Sequence, residues 1–129
     1  MTRDYAEYAL QFENCSIDAS HFDHVDHVGV AHELLRKYSF LDAVVTYAGC
    51  LQTIATRAGA ADKFNMTVTL AFLSLIAERM NESRADTFEA FVKENSDLIT
   101  GQPLSQWYSQ ERLRSETARS AFLLPDRAA

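Results

Sequence analysis

Apolar residues recur at helical spacing along almost the whole chain, and no segment alternates apolar and polar residues as a strand would. Tyr5, Tyr8, Ala9 and Phe12 form one stripe and predict a short first helix. Ser20-x-x-Asp23 reads as a capping box that opens a second helix reaching to about Lys37. Leu41, Val44, Val45, Ala48, Leu51 and Ala55 face inward on a third, which ends near Gly59. Met66, Leu70, Leu73, Ala77 and Met80 mark a fourth, and Phe72 and Ile76 widen its stripe. That breadth predicts the most buried element. Ser83-x-x-Asp86 caps a fifth, with Phe88, Phe91, Val92 and Leu98 inward, and Asn95 to Pro103 reads as a loop. The pattern then weakens. Trp107 and Tyr108 start one short helix, Ser115 to Phe122 make another, and Pro125 ends order. The expected fold is all-α: one domain over residues 1–129, an irregular bundle of about five helices with a C-terminal tail of short helices.

The four histidines of the 129-residue chain all lie between His21 and His32. A helix turns about 100° per residue, so His24 and His27 stand about 60° apart and can address one ligand. All four histidines cannot converge while the helix stays regular: His32 belongs to its flank and His21 to its frayed start. His24 shares a stripe with Val28, Ala31 and Leu35, and His27 with Ala31, Leu34, Tyr38 and Leu41, so both face the core or a pocket in it. Asp23, Asp26, Glu33 and Lys37 fall on the outer side.

Three readings share this pair. As metal ligands, His24 and His27 are half a site for a divalent ion, and Asp23, His21 or Glu78 of the fourth helix would supply the rest. As acid–base groups, an imidazole held by Asp23 or Asp26 would work in a pocket lined by Tyr38, with His27 the best candidate base. As core residues, both are satisfied by neighbouring helices while Asp23 and Asp26 serve the helix N-terminus.

A second polar cluster, Lys63-Phe64-Asn65-Met66-Thr67-Val68-Thr69, leads into the fourth helix. Asn65 or Thr67 is the natural N-cap, and Thr69 points inward. The alternative role for the cluster is ligand binding at the helix N-terminus with Lys63.

Charge narrows the partners. Of the net −6, the whole excess lies in residues 1–33, which hold Arg3 against seven acids. That favours cations and argues against nucleic acid, which needs a basic face. The C-terminal Arg112, Arg114, Arg119 and Arg127 alternate with acids and read as a solvated face. The most apolar stretch, Met66 to Ala77, is too short to span a bilayer. Cys15 and Cys50 read as reduced, buried thiols in the cytoplasm, because Met1 to Tyr5 has no apolar leader.

Three ordered motifs carry a resemblance. Phe22-x-His24-x-Asp26-His27-Val28, Lys63-Phe64-Asn65-x-Thr67-x-Thr69 and Tyr108-Ser109-x-Glu111-x-Leu113-x-Ser115-x-x-Ala118-Arg119 resemble an uncharacterised family of small all-helical bacterial proteins. The segment Phe12 to Cys15 is also similar. The resemblance implies a shared fold and a composite pocket, with no activity to carry over. The family pattern has histidine where this chain has Asn65, and Arg and Trp where it has Gly29 and His32. A His-His-His site in relatives would therefore be short of one ligand here.

The expected function is binding of a small polar molecule in a buried pocket, with acid–base chemistry on it as the enzymatic form. His24, His27, Asn65 and Thr69 line this pocket, with Lys63, Tyr38, Tyr108 and Arg119 as further contacts and Asp23 and Asp26 in support. The alternatives are a non-catalytic accessory protein that forms a homodimer and a histidine-ligated metal protein.

Overall fold

The structure is a computed structural model and describes residues 3–127. Among them are eight α-helices, three short 3-10 turns and no strand. The helices are α1 (Tyr5–Glu13), α2 (His24–Lys37), α3 (Phe40–Arg57), α4 (Met66–Glu82), α5 (Phe88–Glu94), α6 (Asp97–Thr100), α7 (Gln110–Leu113) and α8 (Glu116–Ser120). The all-α expectation holds, with five helices of seven residues or more.

Several boundaries move because other side chains cap the helices. Ser20 sits in a 3-10 turn (Ala19–His21), and α2 starts later, with Asp23 as N-cap. Asp26 accepts the Asp23 N–H at 3.0 Å and so closes the capping box. Thr87 caps α5 through the Ala90 N–H. Ser83 instead ends α4 and accepts from the Ala85 N–H. The stretch expected as a loop after Asn95 contains α6, and Pro103–Gln106 makes a further 3-10 turn. Asn65 is the N-cap of α4, accepting from the Val68 N–H at 2.9 Å.

The central helix is α2, not α4. It packs on α1, α3, α4 and α6, and buries seven of its fourteen residues against five of seventeen for α4. Gly29 is what lets α1 come so close. A Cβ there would lie 2.6 Å from the Tyr5 ring, whose hydroxyl is held by Asp26 at 2.7 Å. Asp26 is therefore not on an outer face: it is 3% exposed and also accepts from Arg3 Nε at 3.0 Å. Glu33, likewise expected outside, is buried and paired with Arg36. The third-helix stripe is also rotated from the expected one. Ala43, Tyr47, Cys50 and Ile54 face the core, while Leu41 and Val45, expected inward, are 71% and 66% exposed.

Cys15 and Cys50 form a disulfide, correcting the expectation of free thiols. Cys15 adopts the left-handed conformation (φ 54°) just past α1, which turns the chain back onto α3. The two Cα atoms come within 4.9 Å.

The tail is bound throughout. Thr67, fully buried, donates to the Ala121 carbonyl at 2.6 Å and accepts from the Leu123 N–H at 3.0 Å. Tyr108 donates to the Leu123 carbonyl, and Arg112 Nε to that of Leu124. Pro125 does not end order. Asp126 accepts from the backbone and hydroxyl of Ser109, and the Arg127 N–H donates to the Trp107 carbonyl.

Candidate functional site

A cavity of about 670 Å³ opens between α2, α3 and α4. α2 contributes His24 and His27, α3 contributes Tyr47, Leu51 and Ile54, and α4 contributes Val68, Thr69 and Phe72. The segments before α2 and α4 close it with Phe22, Lys63 and Phe64. Most of this lining is hydrocarbon, which suits an apolar ligand held by a few polar contacts.

The histidine pair converges as helical geometry requires, with ring centroids 6.4 Å apart. The two rings have different surroundings. His24 Nε2 lies 2.8 Å from the Leu98 carbonyl. A carbonyl only accepts, so Nε2 carries a proton and Nδ1 is left uncommitted. His27 stacks on Phe22 at 4.2 Å and is half-buried. Burial pushes its pKa down from 6.5 to about 4, and His24 adds to the effect against the opposing pull of Asp26. The His27 ring is therefore neutral at pH 7. Its Nδ1 lies 3.4 Å from the Tyr47 hydroxyl, which donates to the His27 carbonyl at 3.2 Å. Nε2 has no protein partner among the described residues. No polar side-chain atom there is both buried and unpartnered, so Nε2 is open to the cavity. Tyr47 is fully buried, which raises its hydroxyl pKa and keeps it protonated.

The remaining polar groups of the lining differ in what they already hold. Asn65 is committed twice: Oδ1 caps α4, and Nδ2 donates to the Leu113 carbonyl at 2.7 Å. Ser20 donates to Asp18. The Thr69 hydroxyl and the Lys63 ammonium have no hydrogen bond or ion pair among the described residues, and both line the cavity. Lys63 is also the only formally charged side chain there. The free polar atoms are thus His24 Nδ1, His27 Nε2, Thr69 Oγ1 and Lys63 Nζ.

Five residues offered for the site lie elsewhere: Tyr38, Tyr108, Arg119, Glu78 and His21. The Tyr38 hydroxyl bonds Glu13 on the far side of α2, because α2 ends at Lys37 and Tyr38 turns outward. Tyr108 and Arg119 belong to the tail, where Arg119 faces Glu116 at 4.0 Å. Neither Asp23 nor Asp26 bonds an imidazole; Asp26 is consumed by Arg3, Tyr5 and the Asp23 backbone. Glu78 lines a separate 240 Å³ cleft under the tail, with Trp107 and Phe122. His21 is exposed near Asp18, and His32 packs on Phe91 and Phe88. Sequence reasoning missed Tyr47 and Phe22. The aromatic character of position 22 was visible beside the histidines, but nothing in the spacing of α3 singled out Tyr47.

The donors do not fit a metal ion. Among the described residues no three His, Cys, Asp or Glu side chains are placed to hold one, and His24 Nε2 is already engaged. No described helix is long and apolar enough to cross a membrane. Compared with protein-family models, curated proteins and solved structures, the chain matches none.

Proposed function

We propose that the chain binds a small molecule in the cavity between α2, α3 and α4, with His24, His27, Thr69 and Lys63 as its polar contacts. The observation that carries this reading is the neutral His27 ring opening Nε2 into an apolar space of about 670 Å³. A cavity of that size accommodates a drug-sized molecule. Binding is favoured over acid–base catalysis by the pKa of His27. A group titrating near 4 is a weak proton acceptor at neutral pH, whereas efficient general bases titrate close to the working pH.

The test is a fragment screen read by NMR on the His24, His27 and Phe72 side chains. Saturable shifts on these three, abolished by Thr69→Phe filling the cavity, are the expected result. A screen in which no fragment moves them overturns the reading.

A second reading, self-association as an accessory protein, has the exposed Phe40, Leu41 and Val45 corner in its favour. Light scattering across a concentration series tests it, since a Leu41→Lys change would abolish a dimer built on that corner. The Cys15–Cys50 disulfide weighs against the cytoplasm expected from the sequence, because reducing compartments keep thiols reduced. The pocket reading holds in either compartment.

A further inference from the structure

The polar atoms left free in the cavity are unlike one another, and their placement restricts what can bind. Lys63 closes the 3-10 turn Ala61–Lys63, is exposed, and stands at the cavity rim. No carboxylate lines the cavity to neutralise it. His27 sits deeper, against the fully buried Tyr47, and offers an uncharged nitrogen. Thr69 adds an uncommitted hydroxyl from α4. Between these polar points the walls are Phe22, Leu51, Ile54, Phe64 and Phe72.

An ammonium without a partner at the mouth of an apolar cavity favours an anionic head. Only one cation is present, so one negative charge is matched and a phosphate dianion is not. A carboxylate meets that condition. The deep end disfavours a second charge, since even the imidazole there is held neutral, and it suits a hydroxyl shared with His27 Nε2 or Thr69. Aromatic walls suit a flat ring between the two ends.

We propose that the ligand is a hydroxyaryl monocarboxylate, its carboxylate on Lys63 and its hydroxyl directed to His27 and Thr69. This inference rests on the pocket reading above. It specifies the ligand class and is tested apart from that reading.

The experiment is calorimetric titration of the full chain with four probes, in parallel with NMR of His27 and Phe72. The probes are 3-(4-hydroxyphenyl)propanoate, 3-phenylpropanoate, 3-(4-hydroxyphenyl)propan-1-ol and uncharged toluene. The hydroxyaryl acid is expected to bind most tightly, with about a threefold to tenfold loss on removing either polar end. Lys63→Gln, a change on an exposed turn, is expected to weaken the acid by a similar factor and leave the alcohol unchanged. If the alcohol or toluene binds as well as the acid, or Lys63→Gln leaves the acid's affinity intact, the ligand class is wrong while the pocket stands. If none of the four probes moves His27 or Phe72, the ligand class falls, and the fragment screen alone decides whether the pocket reading falls with it.

Discussion

Two regions of the molecule meet along α4, and they treat their polar groups in opposite ways. On the tail side, Asn65, Thr67, Tyr108, Ser109 and Arg112 each spend their side chains on the chain's own backbone or on Asp126. On the cavity side, His24, His27, Thr69 and Lys63 leave donors or acceptors open. Two residues, about 200° of helix, separate the two behaviours, since Thr67 anchors the tail and Thr69 faces the cavity. Similar residue types serve opposite ends because an open polar atom in a cavity is available to a ligand, whereas an unpaired one in packed protein costs about 1–3 kcal/mol. The motifs around Asn65 and Tyr108 are therefore largely the two halves of a clamp. The site is confined to His24, His27 and the flanks of the 63–69 segment.

The largest test of this contrast concerns what holds the cavity wall. Cys50 lies one turn from both Tyr47 and Ile54 on α3, and its disulfide to Cys15 closes a separation of 35 residues. Reduction, or Cys15→Ala with Cys50→Ala, is expected to lower unfolding free energy by about 3–4 kcal/mol in denaturant titration. A loss below about 1 kcal/mol would show that packing alone holds that wall.

Next comes the acid response of His27. Its folded pKa lies below its unfolded value, so the unfolded chain takes up the proton first as the pH falls. The stabilisation is complete above about 6.5 and drains away down to about 4, by roughly 3 kcal/mol. The His27→Asn variant should lose this dependence within the window. An unchanged profile would mean that His27 is not buried as described.

Smaller effects belong to the clamp. Thr67→Val strands the Leu123 N–H and the Ala121 carbonyl and is expected to cost about 2–3 kcal/mol, with ligand affinity in the cavity unaltered. Asn65→Ala removes an N-cap and the bond to Leu113, about 1–2 kcal/mol by thermal melting, again without loss of affinity. If Asn65→Ala abolished fragment binding while the melt held, Asn65 would belong to the site and the division drawn along α4 would be misplaced.

Much of the fold was legible in the chain because helical period and caps are local properties. The α1 stripe, the α4 stripe and an N-cap for α4 at Asn65 or Thr67 follow from neighbours a few residues apart, and the structure selects Asn65. The convergence of His24 and His27 is local in the same way, being about 60° on one helix. Errors arose where a distant group outbid the local signal. Asp26 looked solvent-facing on its own helix and is buried because Arg3 and Tyr5 come to it from α1. Leu41 and Val45 looked inward, yet the core is met by Tyr47 and Cys50 on another face of α3. Tyr38 shares the His27 stripe by helical count, yet it is the extended cap after Lys37 and its hydroxyl is held by Glu13.

The sequence by itself determined the helical class and the histidine pair, and narrowed the α4 cap to Asn65 or Thr67, since each rests on spacing within a single element. Tertiary structure alone decided that Gly29 makes room for the Tyr5 ring, that Cys15 meets Cys50, and that Tyr47 backs His27. It also decided which polar groups stay open, because a hydrogen-bonding side chain is free or spent according to what the rest of the chain brings to it.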